Sequence, residues 1–256
     1  MDLKTDFFKI DTAYSSLVLH RQEGRLELCS EDGAIQSLIN LQQPQQLALK
    51  NLEYLVAVQL FIHPPKRILL LGTAAGSLLH FFRHYFEADI VAVDFDSELI
   101  ETLLGLEVLP RADSRLSYVY DDAEHFIQTC RDKFDLIFID IFTRAKSPRW
   151  LLEKNRLEHL YRLQTDSAAL AFNLLIDSEH DFNRFYRNLR LVCRQQTLCT
   201  TVDGFENIIA YGFREPLRKR ELSWYLQRAS ALSQEHAIDY LPILSAIYTT
   251  NPEGTL

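Results

Sequence analysis

The hydrophobic rhythm of the chain changes twice. Within the first 40 residues, SSLVLHRQEGRLELCSEDGAIQSLINL alternates apolar and polar positions around Glu23-Gly24 and Asp32-Gly33. Side chains of a strand point to opposite faces, and such pairs fit tight turns, so this stretch predicts antiparallel hairpins. From Pro44 the rhythm turns helical: in QQLALKNLEYLVAVQLFI, Leu47, Leu49, Leu52, Leu55 and Val56 form one broad apolar face, ended by Pro64-Pro65. Beyond Lys66, strands predicted over 68–71, 90–93, 116–120, 136–140 and 168–175 alternate with helices such as SLLHFFRHYF and DFNRFYRNLRLVC. The first two are apolar without alternation, as strands buried on both faces of a parallel sheet require. Two further strands, 197–202 and 207–213, flank Asp203-Gly204 as a hairpin, and two amphipathic helical stretches parting near Gln234 occupy 217–248.

This order divides the chain into an N-terminal β-hairpin module (1–43) and a larger domain (44–256). In the larger part, βα units followed by an antiparallel terminal strand predict a mostly parallel sheet with helices on both faces. That α/β arrangement is the Rossmann-like one of class I, S-adenosylmethionine-dependent methyltransferases.

The glycine turn carries the strongest chemical signal. KRILLLGTAAG ends its apolar run at Gly72, Gly76 follows four positions later, and Asp94 eighteen after that. Glycine lets the chain turn at positive φ and lets backbone approach a ligand, while the next helix points free N–H groups at the cleft. An acidic residue closing the second strand is placed to hold a ribose diol. A plain βαβ unit whose turn needs a glycine gives the same pattern, and the third glycine of GxGxxG is missing. Ligands of open α/β sheets lie beyond the carboxyl ends of the strands, where Asp94, Asp121, Asp122 and Asp140 all fall. Asp122 also suits the N-cap of AEHFIQTC, with Ala123 small enough to admit a flat base; Asp140 also suits a residue that starts a loop.

Composition narrows the partners. With 256 residues, 47% of them apolar, the chain can bury a full core. It contains no apolar run of about 18 residues, and its opening, MDLKTDFFKI, is not a charged-then-apolar leader. A cytoplasmic protein with no membrane partner is expected. The net charge of −8 without a Lys/Arg stripe argues against a nucleic-acid surface. The four cysteines lack CxxC spacing and the eight histidines lack HxH or HExxH pairs, so free thiols and no bound metal are expected.

The hairpins with DGxxQS, the glycine turn, VDFD, DDA and FDLIFID occur in the order and spacing of the spermidine synthase (polyamine aminopropyltransferase) family, which residues 14–215 resemble. The resemblance implies a methyltransferase-like domain behind a small β-domain, a homodimer, and a small-molecule nucleoside ligand. The nucleoside would be S-adenosylmethionine or its decarboxylated form, with methylthioadenosine as product and an amine as acceptor. It implies that Gly72 and Gly76 line the nucleoside cleft, Asp94 holds the ribose, Asp121, Asp122 and Ala123 lie at the adenine, and Gln36 reaches the nucleoside from the hairpins. Asp140 would be the carboxylate that orients or deprotonates the attacking amine.

Three departures accompany the match. Family synthases carry GGGDGG, whose aspartate binds the aminopropyl ammonium, where this chain has GTAAGS with Ala75 at that place. Their second catalytic-loop aspartate corresponds to Thr143, and their DExxYHE diamine stretch to LQQPQQLALKN. An alkylammonium buried without carboxylates is costly, so putrescine recognition by the usual route is not expected. The pattern is closer to the divergent spermidine synthase-like branch. Alkyl transfer, whether of an aminopropyl or a methyl group, competes with a catalytically degenerate nucleoside-binding or scaffold role. An NAD(P) oxidoreductase is supported by the βαβ fingerprint alone.

Overall fold

The computed structural model describes residues 6–143, 146–217 and 220–252. The alternating N-terminal stretch forms a four-stranded antiparallel sheet of β1 (Asp6–Asp11), β2 (Ser16–Gln22), β3 (Arg25–Ser30) and β4 (Ile35–Asn40), in that spatial order. Its buried positions recur at every second residue: Leu17 and Leu19 in β2, Leu26 and Leu28 in β3, Ser37 and Ile39 in β4.

The chain continues through α1 (Lys50–Val56) and a short 3-10 turn (Ala57–Leu60). The helix starts six residues later than the apolar face predicts, at Lys50 and not Pro44. A turn closes from Gln43 to Gln46, Leu47 bridges back to Ile39, and Leu49 is extended. Leu47 is thus held by the neighbouring sheet, and Leu49 forms the N-cap of the helix.

There follow β5 (Arg67–Leu71), α2 (Ser77–Tyr85), β6 (Asp89–Asp94), α3 (Ser97–Gly105), β7 (Leu116–Tyr120), α4 (Ala123–Thr129), β8 (Phe134–Ile139), α5 (Lys154–Arg162), β9 (Gln164–Leu174), α6 (Glu179–Val192), β10 (Thr197–Thr201), β11 (Ile208–Phe213), α7 (Leu222–His236) and α8 (Tyr240–Thr250). The seven strands of the large sheet lie in the order β10-β11-β9-β8-β5-β6-β7. Its pairs are parallel except those made by β11, which runs against both β9 and β10.

Successive strand residues feed opposite faces. Ile68 and Leu70 join Leu136 and Phe138 under α1, α2, α3, α7 and α8, while Leu69 and Leu71 join Ile137 and Ile139 under α4, α5 and α6. With both faces covered, the strands must be apolar throughout. The last two helices part after His236, close to Gln234. Ala237 takes a left-handed conformation there, and Asp239 caps α8 by accepting the Leu241 N–H. Among the described residues no helix is long and apolar enough to cross a membrane, and no group of three or more His, Cys, Asp or Glu could hold a metal.

Candidate active site

Strand order reverses between β5 and β8, the place where open α/β sheets bind ligands. Gly72 ends β5 there with φ +90°, and a Cβ built on it would lie 2.2 Å from the Asp140 carbonyl oxygen. No side chain fits between the two loops, so a glycine is required. Gly76, φ +85°, begins α2; a Cβ there would lie 2.4 Å from Leu109 Cδ2.

From this crossing a rim of backbone and carboxylates runs along the carboxyl edge. The Gly72 N–H donates to the Val93 carbonyl at 2.9 Å, and the Thr73 N–H to Asp94 Oδ2 at 2.9 Å. Asp94 Oδ1 accepts the Asp96 N–H at 3.1 Å, and the Asp94 carbonyl accepts the Asp121 N–H at 3.1 Å. Burial raises the pKa of Asp94, and the N–H groups of Thr73, Asp96 and Ala74 pull it back. The carboxylate therefore holds the glycine turn against β6, and it keeps a lone pair for a hydroxyl donor. Thr73 is buried in the same turn, and its Oγ1 has no hydrogen-bond partner.

Asp121 takes the His125 Nδ1 at 2.9 Å, and Asp122 caps α4 by accepting the His125 N–H at 3.0 Å. Ala123, half-buried, opens that helix. Tyr14 of the β1–β2 turn meets Phe95 edge to face at 5.1 Å, so an exposed aromatic pair flanks Asp94.

Asp140 closes β8. Its residue keeps some exposure while the carboxyl group lies deep, accepting the Asn173 Nδ2 donor at 2.8 Å. Burial pushes its pKa up to about 6, against the lowering effect of that hydrogen bond. Thr143 is exposed, and its backbone exchanges hydrogen bonds with that of Lys146.

The N-terminal sheet seats on this edge. Asp96 Oδ2 accepts the hydroxyls of Thr12 at 2.7 Å and Ser15 at 2.8 Å, while Ser37 Oγ accepts the Ala75 N–H at 3.2 Å. Gln36 is exposed beside Ser37 and makes no hydrogen bond to the rim among the described residues. Asp94 and Asp121 are thus joined backbone to backbone, Gly72 packs on the Asp140 carbonyl, Gly76, Asp122 and Ala123 start the adjoining helices, and Gln36 is the strand neighbour of Ser37, which bonds the turn. Four polar residues were not singled out from the sequence: Ser37, Thr73, Asn173 and Asn207. Asn173 left a trace, as the polar member of the otherwise apolar run ALAFNLL.

A family model described as the spermine/spermidine synthase domain matches residues 50–202, more than half of the chain. The chain belongs to the spermine/spermidine synthase family. A polyamine aminopropyltransferase of Neisseria meningitidis serogroup A is 21% identical over 222 residues, covering 86% of this chain and 84% of the relative. Among solved structures, a probable spermidine synthase from Corynebacterium glutamicum aligns with TM-score 0.76 at 20% identity, over 97% of this chain and 98% of the other. Human methyltransferase-like protein 13 in complex with SAH aligns with TM-score 0.63 at 21% identity, over 73% of this chain and 89% of that one. These neighbours share the methyltransferase-like fold, so the family's frame and the rim described above coincide in one molecule.

Proposed function

We propose that this family member binds a nucleoside of the S-adenosylmethionine type and transfers an alkyl group, aminopropyl or methyl, to a small acceptor. The observation that carries this reading is Asp140: a deep carboxylate with a pKa of about 6, at the strand-order reversal and against the Gly72 turn. Such a group is ionised at neutral pH yet basic enough to take a proton. The rim suits the nucleoside, with Asp94 toward the ribose, Thr73 offering a buried unpaired hydroxyl, and Gly72 and Gly76 lining the cleft in our reading with backbone packed close against Asp140 and Leu109. Asp121, Asp122, Ala123 and Gln36 flank that position in our reading. The SAH bound by the human neighbour supports the same ligand class.

When bound, the sulfonium supplies the leaving group. Asp140 holds the acceptor in line and takes its proton as the new bond to carbon forms and the carbon–sulfur bond breaks, the electron pair staying on sulfur. Most of the rate then comes from holding the reacting atoms in line.

A catalytically degenerate binder is the second reading, and Ala75 favours it. That residue is fully buried beneath Ser37, and Thr143 is a neutral exposed residue, so neither supplies a carboxylate for an ammonium. A cytoplasmic homodimer accompanies both readings. Purified protein assayed with labelled S-adenosylmethionine and its decarboxylated form against a panel of small amines separates them. Product abolished by Asp140→Asn supports transfer, with spermidine from putrescine absent or very slow. Nucleoside binding with no product from any acceptor would leave the binder.

A further inference from the structure

Beside Asp140 the sheet contains a row of buried amides. Asn207, at the start of β11, donates from Nδ2 to Asn173 Oδ1 at 2.7 Å, and Asn173, in β9, donates from Nδ2 to Asp140 Oδ1 at 2.8 Å. Asn173 and Asn207 are 1% and 6% exposed. An ionised carboxylate only accepts, so Asn173 must turn its NH2 to Asp140 and its oxygen to Asn207, which must answer with its own NH2. Each member fixes the next, and a half-connected row would be worse than an apolar one. Packing does not demand such a row: Ala171, the next residue on the same face of β9, is fully buried and apolar, and apolar residues in place of both amides would serve a sheet equally well.

We propose that Asn173 and Asn207 are positioning residues for Asp140, their amide row occupying Oδ1 and leaving Oδ2 as the atom that meets the acceptor and takes its proton. A proton on Oδ1 would face the Asn173 NH2, donor against donor. Oδ2 receives no hydrogen bond from the described residues. The inference rests on the transferase reading for the identity of the acceptor step. The row itself exists without ligand, and Asn207 reaches Asp140 only through Asn173. Burial and the Asn173 hydrogen bond are the influences on the Asp140 carboxyl, and no charged side chain among the described residues adds to them.

The test is the titration of Asp140 in the ligand-free full chain, followed by NMR of 13C-aspartate-labelled protein, the resonance being identified by its loss in Asp140→Asn. Asn173→Leu should raise the midpoint by about one unit, the worth of a charge-assisted hydrogen bond. Asn207→Leu, which frees the Asn173 amide to turn over, should raise it by about half as much. Asn207→Ser is carried in parallel and should move it the same way if the leucine variants do not fold. A midpoint unmoved by folded Asn207 variants would overturn the row as a positioning device and leave the transferase reading standing. A shifted midpoint in a protein that transfers nothing would defeat the transferase reading and leave the row standing.

Discussion

Ser37 Oγ accepts the Ala75 N–H at 3.2 Å, so the last strand of the N-terminal sheet closes over the residue that family synthases replace with an aspartate. The substitution is structural as well as chemical. Ala75 is fully buried there, while Gly72 and Ala74 of the same turn stay partly exposed.

Ala75→Asp should therefore destabilise the ligand-free protein by about 3–5 kcal/mol at neutral pH, the scale of an uncompensated buried charge, and should not create spermidine formation. Urea denaturation and a product assay check both halves. A stable variant that gains spermidine formation would show that the space under Ser37 opens toward the donor.

Asp140 and His236 give stability opposite dependences on pH. The Asp140 pKa, about 6 in the fold against a usual 3.8, means the folded chain keeps a proton that the unfolded chain has lost between those values. Its contribution is full below the lower value and is lost as pH rises through 6, up to about 3 kcal/mol. His236 is buried among Phe81, Tyr85, Phe86 and Tyr240, with Nδ1 at 2.9 Å from the Tyr240 hydroxyl, and burial lowers its pKa from 6.5 to about 4. Its contribution is full above 6.5 and is lost as pH falls from there toward 4. Asp140→Asn should thus stabilise the protein at about pH 8 and steepen its loss of stability in acid. Denaturation curves across pH read this directly. A pH-independent gain would contradict the deep, ionised Asp140.

Asp94→Ala should weaken methylthioadenosine binding by about 1.5–3 kcal/mol and also lower the melting temperature, because the carboxylate holds the Thr73 and Asp96 N–H groups in place. Calorimetry paired with thermal melts separates the two effects. Unchanged affinity in the folded variant would remove Asp94 from the nucleoside site.

The order of strands, the glycine crossing and the acidic strand ends were legible because each follows from local pattern: unbroken apolar runs, a positive-φ turn, polar residues where a strand leaves the core. The start of α1 was not, since Leu47 is claimed by β4 through a tertiary bridge that periodicity cannot register. Ser37 and Asn207 were equally hidden. Their partners, Ala75 and Asn173, lie 38 and 34 residues away, and only the folded register brings them within hydrogen-bond reach. Asp122 was legible in two ways, and the structure realises the N-cap through Oδ1.

In our reading the rim around Asp94 and Asp140 takes a sulfonium nucleoside. Calorimetric titration of the purified protein with S-adenosylmethionine, decarboxylated S-adenosylmethionine, methylthioadenosine and NAD tests it most directly. We expect methylthioadenosine and at least one sulfonium donor to bind, with NAD giving no heat. Binding of NAD alone, or of none of the four, would contradict the account.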